Sequence, residues 1–230
     1  MNSATHACSS TTEVRDATDE PAEDPARFYA DIIEGLHAIA QPLTILRAAM
    51  EVLALPERAA IDQRRYLDIS TKQVERTCNL FSCLQDLVAA KLNEAQAVRF
   101  DLWEVLSPMI EDRRASLQAS GIGIVVARHE PEEPVVGDVE RTEQAVAEVL
   151  KMAESLSSRG DVIELHASRA HGFCELTLQN TRGHGKRMSS PDRLGLSLAA
   201  MNIVSQRGRY RFEEDPFCVS LALPVQESGE

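Results

Sequence analysis

The sequence predicts an α+β protein, an N-terminal antiparallel helical hairpin followed by an α/β sandwich. Three observations carry this. Two long stretches repeat apolar residues at spacings of three and four, the period of a helix with one buried face. A proline-containing break, "ALPERAAID", separates them. From residue 95 onward, short strand-like runs alternate with shorter helical stretches, as in helices laid on a sheet.

Residues 1–25 are polar and acidic with no apolar period, which predicts a disordered acidic tail. His6 and Cys8 lie in it and receive no role. Residues 26–94 form the predicted hairpin, read as a dimerisation unit. Its first helix, Arg27 to Leu55, carries Leu36, Ile39, Leu43, Leu46, Met50 and Leu53 as alternating a and d positions of a heptad seam. Its second, Arg64 to Asn93, places Leu67, Val74, Phe81, Leu84 and Val88 on one face. A single hairpin buries such stripes poorly, whereas two hairpins from two chains make a four-helix bundle. A homodimer is therefore expected.

Residues 95–226 form the predicted sandwich. "RFDL" reads as a strand, and Trp103 to Ser120 as a helix closed by Gly121. "IGIVVA" is a strand. Asp138 to Ser158 is a helix with Asp138 as N-cap. "DVIELHAS" and "FCELTLQN" are strands joined by a turn through His171 and Gly172. A helix from Leu194 to Gln206 and the strands "RYRFEE" and "FCVSLALP" complete a mixed sheet with helices on one face.

The formal charge of −12 argues against nucleic-acid binding, which depends on neutralising phosphates, and against an anionic membrane surface. No apolar run approaches the length of a membrane span and no leader pattern is visible, so a cytoplasmic protein without membrane insertion is expected. The five cysteines include no CxxC pair, which suggests neither a disulfide framework nor a zinc site. Cys78 and Cys83 read as small buried hydrophobes. His129, His166, His171 and His184 share no metal spacing, and no metal is expected.

The informative stretch is "LHAIAQPLTILRAAMEVL", Leu36 to Leu53. With Leu36 at heptad position a, His37, Gln41 and Thr44 fall on outward positions and form one exposed stripe. Pro42 has no N–H for the carbonyl of Ala38, so a bend beside His37 is expected. An outward histidine followed five residues later by Pro42, on a hairpin that precedes an α+β domain, resembles the catalytic core of bacterial sensor histidine kinases. The resemblance spans roughly residues 27–225. It implies a sandwich of the histidine-kinase ATPase type, His37 as phospho-acceptor and receiver domains as partners.

The sequence departs from that family wherever ATP is handled. The positions of the two usual asparagines of the nucleotide box hold Glu148 and Met152, although Asp138, Arg141, Gln144 and Ala153 keep its frame. A thioether is a poor ligand for Mg²⁺, and Glu148 reads as a solvated helix carboxylate. Asn180 stands for the adenine-binding aspartate, with Gly183 and Gly185 displaced by one residue. Gly195 remains of a Gly-x-Gly-Leu phosphate loop, but Arg193 replaces its first glycine. The glycines are expected to serve only as turns. Ala38 stands where an acidic residue usually orients the histidine and takes its proton, and it cannot act as a base.

The nucleotide site thus reads as vestigial. The favoured reading is a histidine phosphotransferase in which His37 accepts a phosphoryl group from one receiver aspartate and passes it to another, with a hybrid histidine kinase as a candidate donor. No cofactor is then expected. ATP and Mg²⁺ are required only by the alternative of a divergent kinase lacking its own sensor. A further alternative is a non-catalytic pseudokinase or regulator-binding scaffold. Gln41 could position a water for a phosphatase variant of the first reading. "GHGKR", Gly183 to Arg187, forms with Arg193 a small basic patch suited to an acidic receiver surface.

Overall fold

The computed structural model describes residues 25–55, 60–128, 134–180, 186–214 and 216–225. The expected acidic tail lies outside them except for Pro25, as do His129, His184, Gly183 and Gly185. Two long helices, α1 (Pro25–Leu53) and α2 (Ala60–Leu92), form the hairpin. They approach closely because small residues line the contact. A Cβ added at Gly35 would lie 2.4 Å from Leu84 Cδ2. Pro42 and Ala49, at seven-residue intervals from Gly35, are buried on the same face, and Ala38 beside them is buried too.

This shifts the seam from the expected one. Within the chain, Gly35, Ala38, Pro42 and Ala49 of α1 turn inward, and Leu80, Leu84, Leu87 and Ala90 of α2 are buried. Ile39, Leu46 and Leu53 are half-buried. The predicted a positions point out: Leu36, Leu43 and Met50 are exposed, and so is Tyr29 seven residues before them. On α2, Leu67, Val74, Phe81 and Val88 are exposed at the same step. Only Leu84 of the predicted α2 face is buried. The small residues gain close backbone packing, and each helix keeps an apolar heptad stripe in reserve. Cys78 is exposed, contrary to expectation, and Cys83 is half-buried with its thiol pushed up to about 12 by burial.

The second part follows the predicted order: β1 (Val98–Phe100), α3 (Leu102–Ala119), β2 (Gly123–Arg128), β3 (Val135–Gly137), α4 (Val139–Leu156), β4 (Val162–Ala170), β5 (Phe173–Asn180), α5 (Ser190–Val204), β6 (Arg209–Glu213) and β7 (Cys218–Pro224). The main sheet runs β2-β4-β5-β7-β6, with β2 parallel to β4 and the other pairs antiparallel. The strand β3, absent from the sequence reading, pairs with β1.

Local signals explain the boundaries. Asp101 and Asp138 cap α3 and α4 by accepting from Trp103 and Arg141 N–H. Gly121 ends α3 at φ +75, its N–H bonding Gln118 O while Ile122 N–H bonds Leu117 O, a Schellman closure. His171 and Gly172 both have positive φ between paired residues Ala170 and Phe173, as a two-residue hairpin turn requires.

One core joins the three helices to the inward residues of the sheet, among them Ile163, Leu165, Leu176 and Leu178. A second, smaller cluster unites the two parts of the chain. It contains Ala38 of α1, Leu80, Leu84 and Leu87 of α2, and Leu194 and Leu198 of α5. Among the described residues, no helix is long and apolar enough to cross a membrane.

Candidate functional site

His37, Gln41 and Thr44 all lie exposed on α1. The helix runs through Pro42 to Leu53, with the proline buried and the histidine facing away. Proline costs the Ala38 carbonyl its helical partner, and one turn on, the Thr44 hydroxyl donates to Ala40 O at 2.8 Å. The histidine side is therefore open, while its neighbour Ala38 is 6% exposed against α2 and α5. A carboxylate at position 38 would be buried in apolar surroundings, at a large desolvation cost. Alanine there is what lets α5 dock.

That docking has polar partners near His37. The Ser197 hydroxyl of α5 donates to the Asp31 carboxyl, which burial pushes above the usual carboxylate range. Arg193 Nε lies 3.9 Å from Glu34 Oε1, one turn before the histidine. At the far end, Arg141 donates to Ala90 O at 3.1 Å and Asn93 O at 2.6 Å, capping the C-terminus of α2. Gln144 donates to Asp86 at 2.8 Å and accepts from Asn202 at 2.8 Å. The frame residues Arg141 and Gln144 thus bind the hairpin to the sandwich.

The positions of the nucleotide boxes have been given other work. Met152 is 2% exposed in the main core. Glu148 is not the freely solvated carboxylate expected. Its side chain is only 19% exposed, pairs with Lys151 at 3.4 Å, and fills the space over Gly195, where a Cβ would meet Glu148 Oε2 at 2.5 Å. Gly195 is not a turn. It is the sixth residue of α5, so its N–H belongs to the helix ladder and is not one of the free amides that bind phosphate. The true start of α5 is closed by a capping box between Ser189 and Asp192.

Asn180 is buried and donates to Ser157 Oγ at 2.8 Å. Lys186 lies over the C-terminus of α4, donating to Ser155 O at 3.3 Å and to Ser157 O. A cavity of about 400 Å³ remains beside Glu148, but α2 supplies one wall through Lys72, Arg76 and Cys83. Of the described residues, a buried thioether at Met152 is a poor match to Mg²⁺, and the capped start of α5 offers no free amides to a phosphate. Among the described residues, no group of three His, Cys, Asp or Glu could hold a metal ion.

The contacts of Glu34 with Arg193 and of Asp31 with Ser197 join distant parts of the sequence. The start of α5 was legible as Ser189-x-x-Asp192 with Pro191 inside, a capping-box pattern. The long-range pairs had no local signal.

Neither a protein-family model nor a curated protein matches the chain. Solved structures do. The chain is similar to the Acinetobacter baumannii histidine kinase AdeS at 17% identity and a TM-score of 0.62, over 84% of this chain and 98% of that one. It is similar to histidine kinase ThkA in a complex with the response regulator protein TrrA, at 15% identity and a TM-score of 0.67, over 83% and 60%. It is also similar to full-length ShkA in complex with AMPPNP, at 15% identity and a TM-score of 0.58, over 90% and 47%. What the chain shares with them is the fold.

Proposed function

We propose, for a chain that has the fold of a sensor histidine kinase core, that it acts in two-component signalling as a histidine phosphotransferase and not as an ATP-dependent kinase. His37 accepts a phosphoryl group from an aspartyl phosphate on one receiver domain and gives it to another. A hybrid histidine kinase is a fitting donor. The observation that carries the reading is a contrast within one chain: His37, Gln41 and Thr44 stay exposed, while Met152, Glu148 and Gly195 are absorbed into packing.

The neutral imidazole is the nucleophile. Its N–P bond forms as the P–O bond to the receiver aspartate breaks, and the carboxylate leaves with the electron pair. The exposed helix face gives two successive receivers access to one ring. Gln41, one turn on, can hydrogen-bond the receiver or the transferred oxygens. Glu148, paired with Lys151 and packed over Gly195, is engaged within the chain. The protein works as a homodimer, with the two exposed heptad stripes buried against a second copy.

Calorimetric titration of the full chain with Mg²⁺-ATP tests the ATP-free reading. No binding heat is expected up to about millimolar nucleotide, the weak end of the affinity scale. Saturable binding far below that concentration would favour the divergent kinase.

A further inference from the structure

We infer that Arg193 is a phosphoryl-contacting residue of the His37 site, an inference that rests on the phosphotransfer reading above. Arg193 is the fourth residue of α5. A cation in a first turn sits at the positive end of the helix dipole, where it is unfavourable. Helix formation therefore does not account for it. An anion beside it would.

One such anion is already there. Glu34 Oε1 lies 3.9 Å from Arg193 Nε, and Glu34 precedes His37 by three residues on α1. That spacing puts side chains on neighbouring positions of a helix surface, with Cβ atoms roughly 5–6 Å apart. The seat of the arginine is firm. Leu194 and Leu198 pack in one cluster with Ala38, and Ser197 bonds Asp31. Its head is open to solvent, the two side chains of the ion pair being 49% and 42% exposed. An ion pair that open contributes little, so the guanidinium can leave Glu34 for a stronger anion.

A phosphoryl group on His37 is that anion. Arginine offers a planar fork that matches two phosphoryl oxygens. During transfer Arg193 forms no covalent bond. It neutralises charge on the non-bridging oxygens while the N–P bond forms and the P–O bond to aspartate breaks. Between transfers Glu34 holds it one turn away. The residue that replaces a phosphate-loop glycine would then serve the histidine instead of a nucleotide.

Phosphoramidate tests this without a receiver protein. The full chain is incubated with it; the donor P–N bond breaks, an N–P bond forms on His37, and ammonia leaves. ³¹P NMR follows both the rate and the chemical shift of the phosphohistidine. Arg193→Gln is expected to slow its formation about tenfold, less than the roughly 10²–10³ lost with a buried, preorganised donor because the Arg193 side chain is half exposed, and to displace its ³¹P signal. Arg193→Lys is expected to recover part of the rate, because it keeps the charge but loses the fork. Matching melting curves show that both variants keep the Leu194 and Leu198 seat. An Arg193→Gln protein equal to the unchanged chain in rate and ³¹P position would overturn the assignment of Arg193 alone. No signal in the unchanged chain, or one that persists in His37→Gln, would overturn it together with the reading of His37.

Discussion

A chain carrying both Leu43→Glu and Phe81→Glu is expected to be monomeric at concentrations where the unchanged chain is a dimer. Leu43 and Phe81 each sit mid-stripe in the two exposed heptad rows, at 46% and 55% exposure within the single chain. Neither belongs to either core cluster, so the charge should not unfold the hairpin. In a two-fold dimer each change occurs twice. Each side chain is already about half buried in the single chain, so losing four of them forfeits roughly half of the full-burial value apiece, about 3–6 kcal/mol in all. At 1.4 kcal/mol per tenfold, dissociation should strengthen by at least about two orders of magnitude. Sedimentation of the two proteins checks this. A double variant that still sediments as a dimer would place the interface elsewhere.

Restoring an asparagine by Met152→Asn is expected to weaken the protein and not to create a nucleotide site. Met152 is 2% exposed inside the main core. The exchange loses the transfer energy of the thioether chain, about 1.5–3 kcal/mol, and buries an amide without a prepared partner, about 1–3 kcal/mol more. The sum is roughly 2.5–6 kcal/mol, which for a chain of this size lowers the melting temperature by on the order of 10 °C. Thermal unfolding followed by circular dichroism reads it. An unchanged melting temperature with new Mg²⁺-ATP binding would show that the site is latent and not lost.

Most of the fold was legible because its signals are local. Heptad spacing marked α1 and α2, Asp138 and Gly121 marked helix ends, and alternation marked β4 and β5. The hairpin seam was read one position off. Apolar size pointed to Leu36, Leu43 and Met50, whereas the intrachain contact selects Gly35, Ala38, Pro42 and Ala49 for close approach. Large apolar residues mark a heptad stripe, but the intrachain contact goes to the small ones. The outward place of His37, Gln41 and Thr44 followed from helical phase alone. Glu148 was misjudged because its burial depends on the missing side chain of Gly195, forty-seven residues away. The pair Arg193–Glu34 spans both parts of the chain, and no periodicity within either part encodes it.

The most direct test of the central claim is the fate of label from a receiver domain phosphorylated on its aspartate by acetyl phosphate and mixed with the full chain in the absence of ATP. Acid-labile, base-stable phosphate is expected on His37, located by mass spectrometry and absent from His37→Gln. Label that never reaches His37 from the receiver, but reaches it from Mg²⁺-ATP, would contradict that claim.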